Sequence, residues 1–431
     1  MKRVLIYSHD TFGLGNIRRM LEVARHLVES SDEVSVLVIT GSAMLHAFRI
    51  PPRVDYVKLP CLSRNVEGAY GARNLDLSLS ATVRLRANLI RSAVSDFAPD
   101  LILVDKKPFG VEDELVGTFA ALSGSAKHPK LVLLLRDILD SPATTTKIWR
   151  KNAYFEAISA YYDQVLVVGD PEVFDMRREY EFPPFAAAKV QFCGYIARQR
   201  GCQDRATIRR DLGLTDSEPL VLLTPGGGED GYQLVDAYLR GLRELESTQQ
   251  PRTHIVCGPE MAQAQRQSIS QAAETIPRLS VQGFCDDMMS VVAAADLVVS
   301  MGGYNTVCEL LTCGRRAVVV PRVKPGQEQC IRAQRMATQG LLHMLHPDHL
   351  TPGALLTAVH SELAALARHD PLPQLKSLNG LENTTAAILK LITPAASDLS
   401  TERSYRARIH TQSTSKEGHS WFANAMTANA H

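Results

Sequence analysis

The stretch from Gly283 to Gln329 constrains this chain more than any other. It reads as turn, helix, strand, glycine turn, helix, strand and polar loop in one unit. Ala293 to Ser300 is short, apolar and valine-rich, which suits a buried parallel strand, and Met301-Gly302-Gly303 lets the backbone turn sharply into the next helix. The first amides of that helix lack intrahelical partners, and the positive end of the helix dipole stands behind them. Such a start holds phosphate with a gain of about 0.3 to 2 kcal/mol per charge. Ser300, Asn305 and Thr306 add side-chain donors, and Glu309, one turn along, carries a carboxylate that can accept hydrogen bonds from ribose hydroxyls. An ordinary βαβ crossover would explain the glycines alone.

A second glycine turn follows the apolar run Pro219 to Thr224: Pro225-Gly226-Gly227-Gly228 leads into Gly231 to Leu245, where Leu234, Tyr238, Leu242 and Leu245 recur at helical spacing. In a doubly wound sheet, ligands gather outside the carboxyl ends of the strands, so Gly227, Gly228 and the loop after Ser300 are expected to clamp one diphosphate. Glu229 sits badly with this, because a carboxylate repels phosphate unless it points away. A third unit opens the chain, with strand Val4 to Tyr7, the loop from Ser8 to Arg19 containing Gly13 and Gly15, and an apolar helix from Met20 to Val28. Two glycines without a third make a weak dinucleotide fingerprint, and Thr40-Gly41-Ser42 stands where an acidic residue would end the second strand. A nicotinamide cofactor is therefore not expected, nor any other cofactor.

The C-terminal half resembles the donor-binding half of the GT-B glycosyltransferases, nearest to glycosyltransferase family 28, the MurG-like group, and to the related predicted-glycosyltransferase family. Gly283-Phe284 with Asp286-Asp287-Met288 is similar to the family's loop before a helix, Ser300 through Glu309 to its signature, and Pro321 followed by Gln327, Gln329 and Ala333 to its sugar-recognition loop. The resemblance implies that Glu309 binds the ribose of a UDP-sugar, Gly302 and Gly303 the diphosphate, Gln327 and Gln329 the sugar hydroxyls, and that the base stacks near Phe284 and Met288. Asp286 and Asp287 have a helix-capping role open to them as well. It also implies that the N-terminal loop, with Gly15, reaches toward donor phosphate and acceptor. Related proteins tend to carry histidine where this chain has Asn16, and a neutral amide orients a group but cannot accept a proton as imidazole does.

Another residue must then take the acceptor proton. Asp105, at the end of the apolar run Leu101 to Val104, is the first candidate, followed by His9 and Asp10, with Glu114 and Asp137 behind them. Each has a structural alternative: a cap, a loop histidine or a surface ion pair. Arg18 and Arg19 stand at a helix start, where they oppose the dipole, so a bound anion explains them as well as solvent does. The stretch Leu75 to Phe97 mixes leucines with Arg84, Arg86 and Arg91, and Arg73 precedes it. It reads either as a helix covering its own sheet with its arginines in water or as a basic amphipathic surface for anionic lipid.

At 431 residues the chain exceeds one ordinary core, so two domains are expected. Strand-like runs at Val34 to Thr40, Leu101 to Val104, Leu131 to Leu135 and Gln164 to Val168 alternate with helical ones, and the pattern restarts after the polar stretch Ala197 to Asp204, which reads as the interdomain linker across which the domains close. The expected fold is α/β: two Rossmann-like doubly wound domains facing a cleft, over 1–196 (acceptor side) and 197–375 (nucleotide-sugar side), then a closing helix in 376–395 and a disordered tail over 396–431. A formal charge of +1 argues against a nucleic-acid partner, and the eight cysteines lack zinc spacing, so no metal is expected. No secretory signal or membrane-length apolar run is visible, which fits the cytoplasm, with peripheral contact at the inner membrane face left open by the Leu75 to Phe97 segment.

Together these readings imply an inverting, metal-independent glycosyltransferase with a nucleotide-diphosphate donor such as UDP-N-acetylglucosamine and a small-molecule or lipid-linked hydroxyl acceptor. A nonhydrolysing sugar-nucleotide epimerase and a catalytically silent nucleotide-sugar-binding protein are the alternatives.

Overall fold

The computed structural model describes residues 1–9, 15–43, 45, 48–64, 70–124, 128–215 and 218–393. The first half comprises β1 (Lys2–Ser8), α1 (Gly15–Ser30), β2 (Val34–Thr40), β3 (Val54–Lys58), β4 (Leu62–Arg64), β5 (Tyr70–Ala72), α2 (Leu79–Phe97) and β6 (Leu101–Asp105). It continues through α3 (Val116–Ser123), β7 (Lys130–Arg136), α4 (Pro142–Lys151), α5 (Tyr154–Tyr161), β8 (Gln164–Val168), the short α6 (Met176–Glu179) and α7 (Pro184–Ala187), and β9 (Val190–Phe192). The second half holds α8 (Arg205–Asp211), β10 (Leu220–Thr224), α9 (Tyr232–Glu244), β11 (Arg252–Val256), α10 (Gln263–Glu274), β12 (Leu279–Gln282), α11 (Met288–Ala294) and β13 (Leu297–Ser300). Then come α12 (Tyr304–Cys313), β14 (Arg316–Val319), α13 (Glu328–Thr338), β15 (His343–Met344), α14 (Pro352–Ala367) and α15 (Gly380–Ile392).

Each half is built on a parallel sheet, of order β3-β2-β1-β6-β7-β8-β9 in the first and β12-β11-β10-β13-β14-β15 in the second. The inner strands are apolar throughout because helices cover both faces, and β6 and β10 are buried at every residue. In both sheets the winding reverses at the centre, between β1 and β6 and between β10 and β13. Connections on either side of such a point leave in opposite directions and open a crevice beyond the strand ends. Both glycine turns predicted to hold phosphate, after Thr224 and after Ser300, leave this crevice in the second half, since β10 and β13 pair with Thr224 opposite Ser300. The N-terminal glycine loop leaves the matching position in the first half, after β1.

One apolar core runs through the joint between the halves: Val4, Ile6 and Leu27 belong to the same cluster as Tyr304, Val307, Cys308, Met336, Leu341 and Ile388. Helix α15 crosses back onto α1 and the first sheet, anchored where Tyr195 N–H donates to Ser377 O at 2.8 Å and Gly380 N–H to Tyr195 O at 2.9 Å. Within this joint Arg332 of α13 and Asp137, just past β7, form a bidentate ion pair (Nε to Oδ2 2.6 Å, Nη2 to Oδ1 2.7 Å) with both side chains essentially inaccessible to water. Tyr195 Oη donates to the same carboxylate at 2.9 Å, and Arg332 Nη1 to the Gly302 carbonyl at 3.2 Å. A side chain at Gly169 would meet Asp137 Cβ at 2.6 Å, so glycine there is what lets β8 end against the pair.

Three sequence readings change. Asp137 and Glu114, considered as proton acceptors, are structural: Glu114 is clamped by buried Arg86 (2.6 and 2.7 Å) and by the Tyr7 hydroxyl. Arg86 accordingly faces the core rather than water or lipid, while Arg84 and Arg91 of α2 are exposed. The polar stretch Ala197 to Asp204 is not a free hinge, because Cys202 and Gln203 donate to Asp287 and Ser290 of the second half. The tail beyond 393 lies outside the described residues. Breaking a buried ion pair by removing one partner typically costs about 3 to 5 kcal/mol. Asp137→Ala is therefore expected to lower the unfolding midpoint in guanidinium substantially, whereas Lys130→Ala, which removes a half-exposed pair with Asp163, shifts it little.

Candidate functional site

The second half forms a glycine-lined cradle at the strand ends where phosphate is expected. A Cβ at Gly226 would come within 3.6 Å of Thr306 Oγ1, so the two glycine turns share one hollow. Gly302 has φ +74, a conformation that favours glycine, and a Cβ there would lie 2.7 Å from Val319 Cγ1. Gly303 caps α12 without a side-chain hydrogen bond, leaving the first amides of the helix directed into the hollow. The Ser300 hydroxyl, fully buried at the strand end, has no hydrogen-bond partner. Glu309, buried at 3 % exposure, stands one turn further along α12. Gln329 lies against the same turn, its Nε2 4.0 Å from a Cβ at Gly303, and its Oε1 accepts from Arg322 N–H at 3.2 Å. The main-chain N–H of Gln327 donates to Asp140 Oδ1 of the first half at 2.9 Å, which ties the loop before α13 to that half. Gly228 serves packing, since a Cβ there would strike the Cys257 carbonyl at 2.3 Å.

The first half faces this cradle directly. Asn305 Nδ2 donates to the Gly15 carbonyl at 3.4 Å, so the opening of α1 meets the opening of α12. Asn16 Nδ2 donates to the His9 carbonyl at 2.7 Å and its Oδ1 accepts from Arg19 at 3.3 Å, so this amide fixes the loop around His9. Asp105 is fully buried, with Oδ1 2.6 Å from Arg19 Nη2 and Oδ2 accepting the His9 amide at 3.2 Å. Both oxygens are engaged, one by a guanidinium and one by the His9 amide, so Asp105 holds the main chain of His9. Arg19, read as an anion ligand, is likewise an internal partner, 2 % exposed. Arg18 does reach the cleft and forms an ion pair with Glu309 at 2.8 Å. Asp10 lies outside the described residues.

A cavity of about 140 Å³ continues from this point between Arg18, Glu22, Arg198, Asp286, Asp287 and Met288, on the side where a base would lie. Asp287 accepts from Ser290 N–H at 3.3 Å and caps α11, as its position allowed. Burial alone would raise this carboxyl, but hydrogen bonds from Ser290, Cys202 and Gln203 outweigh it and hold the group below its usual range. Phe284 is 53 % exposed at the rim. Arg198 was not singled out from sequence: it is 6 % exposed, donates to Asn305 Oδ1, and leaves Nε and Nη1 without partners beside the cavity. An arginine in a polar connecting stretch carries no signal until the fold lays that stretch along the cleft. A larger hollow of about 500 Å³ lies between α2 and α3 and touches none of these residues. Among the described residues no group of His, Cys, Asp and Glu is placed to hold a metal.

Residues 221–377 match the glycosyltransferase family 28 C-terminal domain. The chain is a glycosyltransferase, and this segment of it is a family 28 C-terminal domain. One relative, the UDP-N-acetylglucosamine--N-acetylmuramyl-(pentapeptide) pyrophosphoryl-undecaprenol N-acetylglucosamine transferase of Acetivibrio thermocellus, is 23% identical over 88% of this chain and 94% of its own. The transferase of the same name from Syntrophotalea carbinolica is 33% identical, but that match spans 33% of this chain and 40% of the relative. Among solved structures, Acinetobacter baumannii MurG superposes with a TM-score of 0.56 at 16% identity, covering 90% of this chain and all (100%) of that one. A UDP-glucosyltransferase from Polygonum tinctorium gives 0.60 at 13% identity, covering 91% and 99%. At these identities the structures establish the shared GT-B fold.

At the turn after β10, Glu229, Asp230 and Glu260 gather. Burial raises the Glu260 carboxyl and Asp230 adds to it, although Arg73 opposes; burial, Glu260 and Asp230 raise Glu229. A carboxyl whose proton affinity is raised by folding costs stability once pH exceeds its folded value, and that cost disappears as pH falls below the unfolded value, where both states are protonated. Glu260→Gln should therefore raise Tm at pH 8, with the gain shrinking toward zero by about pH 4, near the unperturbed glutamate value.

Proposed function

We propose that the protein is an inverting, metal-independent glycosyltransferase that moves a sugar from a UDP-sugar, with UDP-N-acetylglucosamine the leading donor, to a hydroxyl on a lipid-linked acceptor. The observation carrying this reading is the convergence of the uncapped α12 start, the two glycine turns and Glu309 on one hollow, which the start of α1 meets from the other half through the contact of Asn305 with Gly15. The named activities of the Acetivibrio and Syntrophotalea relatives support the donor and acceptor classes.

In this reading the amides at the start of α12, the Ser300 hydroxyl and the glycine backbone bind the diphosphate and stabilise the charge that gathers on it as the glycosidic bond breaks. Glu309 accepts from the ribose hydroxyls, exchanging its contact with Arg18 for the nucleotide and leaving that guanidinium beside the diphosphate. Gln327 and Gln329 orient the sugar. On the opposite face, the acceptor oxygen attacks the anomeric carbon while its proton passes to His9. The bond from that carbon to the phosphate oxygen breaks, UDP departs with the electron pair, and the configuration inverts. Asp105 and Asn16 act through His9, holding its main chain by both amide and carbonyl. Because Asn16 is engaged in this way, the proton-accepting role falls on His9, and a silent binding protein remains the reading to defeat.

The surface around α2 supports a peripheral lipid contact. Leu75, Leu77, Leu85 and Leu89 are 46%, 44%, 39% and 38% exposed beside exposed Arg73, Arg84 and Arg91, a pattern suited to anionic headgroups and the acyl boundary. No helix among the described residues is long and apolar enough to cross a membrane.

Glu309→Ala should weaken UDP-sugar binding about 10- to 100-fold by calorimetry, the range expected for losing hydrogen bonds to a charged acceptor. Unchanged affinity would remove the ribose assignment. His9→Gln should leave donor affinity intact and lower single-turnover transfer to acceptor in membrane extract by about 10²- to 10⁴-fold. Equal rates with and without the imidazole would rule out His9 as base.

A further inference from the structure

Arg136 ends β7, level with Val168 of β8, so its side chain starts at the carboxyl end of a central strand of the first sheet. The surrounding cations and carboxylates are already matched to one another. Arg19 is paired with Asp105 at 2.6 Å, Arg332 with Asp137 at 2.6 Å, and Arg322 with Glu328 at 2.9 Å. Arg136 itself has no carboxylate at ion-pair distance among the described residues, and its buried Nε has no hydrogen-bond partner. Burial lowers its proton affinity, and Arg332 and Arg19 lower it further; Glu328 and Asp137 act against this from a distance. A guanidinium whose Nε is buried without a partner, with like charges beside it, destabilises the fold unless an anion completes it. Arginine's planar fork matches carboxylate and phosphate alike.

The position separates this group from the donor diphosphate. Arg136 belongs to the first half, one residue before Asp137. The segment that follows reaches the sugar-recognition loop through Asp140 and Gln327, whereas the diphosphate cradle is built from α12 and the two glycine turns of the second half.

We propose that Arg136 binds a second anionic group, a carboxylate or phosphate, carried into the cleft by a substrate in addition to the donor diphosphate. This rests on the glycosyltransferase reading. The anion belongs either to the acceptor or to the transferred sugar, and the two sources are separable.

Wild type, Arg136→Gln and Arg136→Lys are titrated by calorimetry with UDP, then, saturated with UDP, with inorganic pyrophosphate; separately they are titrated with UDP-glucuronate and UDP-glucose. Arg136→Gln should leave UDP binding unchanged and weaken one anionic probe at least 10-fold, with Arg136→Lys recovering part of the loss. Loss in the pyrophosphate arm assigns the anion to the acceptor, and selective loss of UDP-glucuronate assigns it to the sugar. The Tm of Arg136→Gln without ligand should equal or exceed that of wild type, because an uncompensated charge is removed. Equal binding of both probes by wild type and Arg136→Gln, equal weakening of UDP itself, or a marked fall in Tm would overturn the proposal. The glycosyltransferase reading is judged separately, by whether wild type binds UDP at all.

Discussion

The buried pair between Asp137 and Arg332 governs how the two halves of this molecule meet. Two charges withdrawn from water are tolerable only when each satisfies the other, and here the geometry is bidentate, with the Tyr195 hydroxyl and the Gly302 carbonyl taking the remaining valences. The same guanidinium thus holds the first half through Asp137 and the phosphate turn through Gly302. Tyr304, which opens α12, packs within cation–π distance of Arg332 and Arg19 and donates its hydroxyl to Val168 O at 3.0 Å. The position of the cradle is therefore set by the interface, and the joint places the start of α1 against it through Asn305 and Gly15.

A common logic appears at the strand ends. Ser300 Oγ, Ser8 Oγ, Arg136 Nε, and Arg198 Nε and Nη1 are among the buried polar atoms without hydrogen-bond partners, and they stand where parallel strands or the connecting stretch reach the crevice. Buried polar groups without partners cost stability, and these are the ones that the proposed substrate would reach.

Much of this was legible in the sequence, for identifiable reasons. Valine- and leucine-rich runs such as Leu101 to Val104 and Leu220 to Leu223 could only be strands covered on both faces, and the positions of Gly302 and Gly303 marked a sharp turn into a helix. β3 escaped notice because only Val54 is buried in an edge strand whose other residues face outward, and β15 because two residues give no periodicity. The side-chain roles were harder to read. Asp105, Glu114 and Asp137 each end or follow an apolar strand and look alike in sequence, but the arginines that neutralise them, Arg19, Arg86 and Arg332, lie from 28 to 195 residues away. Pairing at that separation is a property of the fold. So is Arg136, whose importance lies in what does not reach it.

The central claim is that the second half binds a nucleotide diphosphate through uncapped peptide amides in a cleft closed by the first half. A crystal structure with UDP tests it most directly. The account predicts the diphosphate over Gly302, Gly303 and the start of α12, with the ribose on Glu309 and Arg18 displaced from its 2.8 Å contact with that carboxylate. UDP bound elsewhere, or the Arg18 to Glu309 pair intact beneath a nucleotide that touches neither glycine turn, would contradict it.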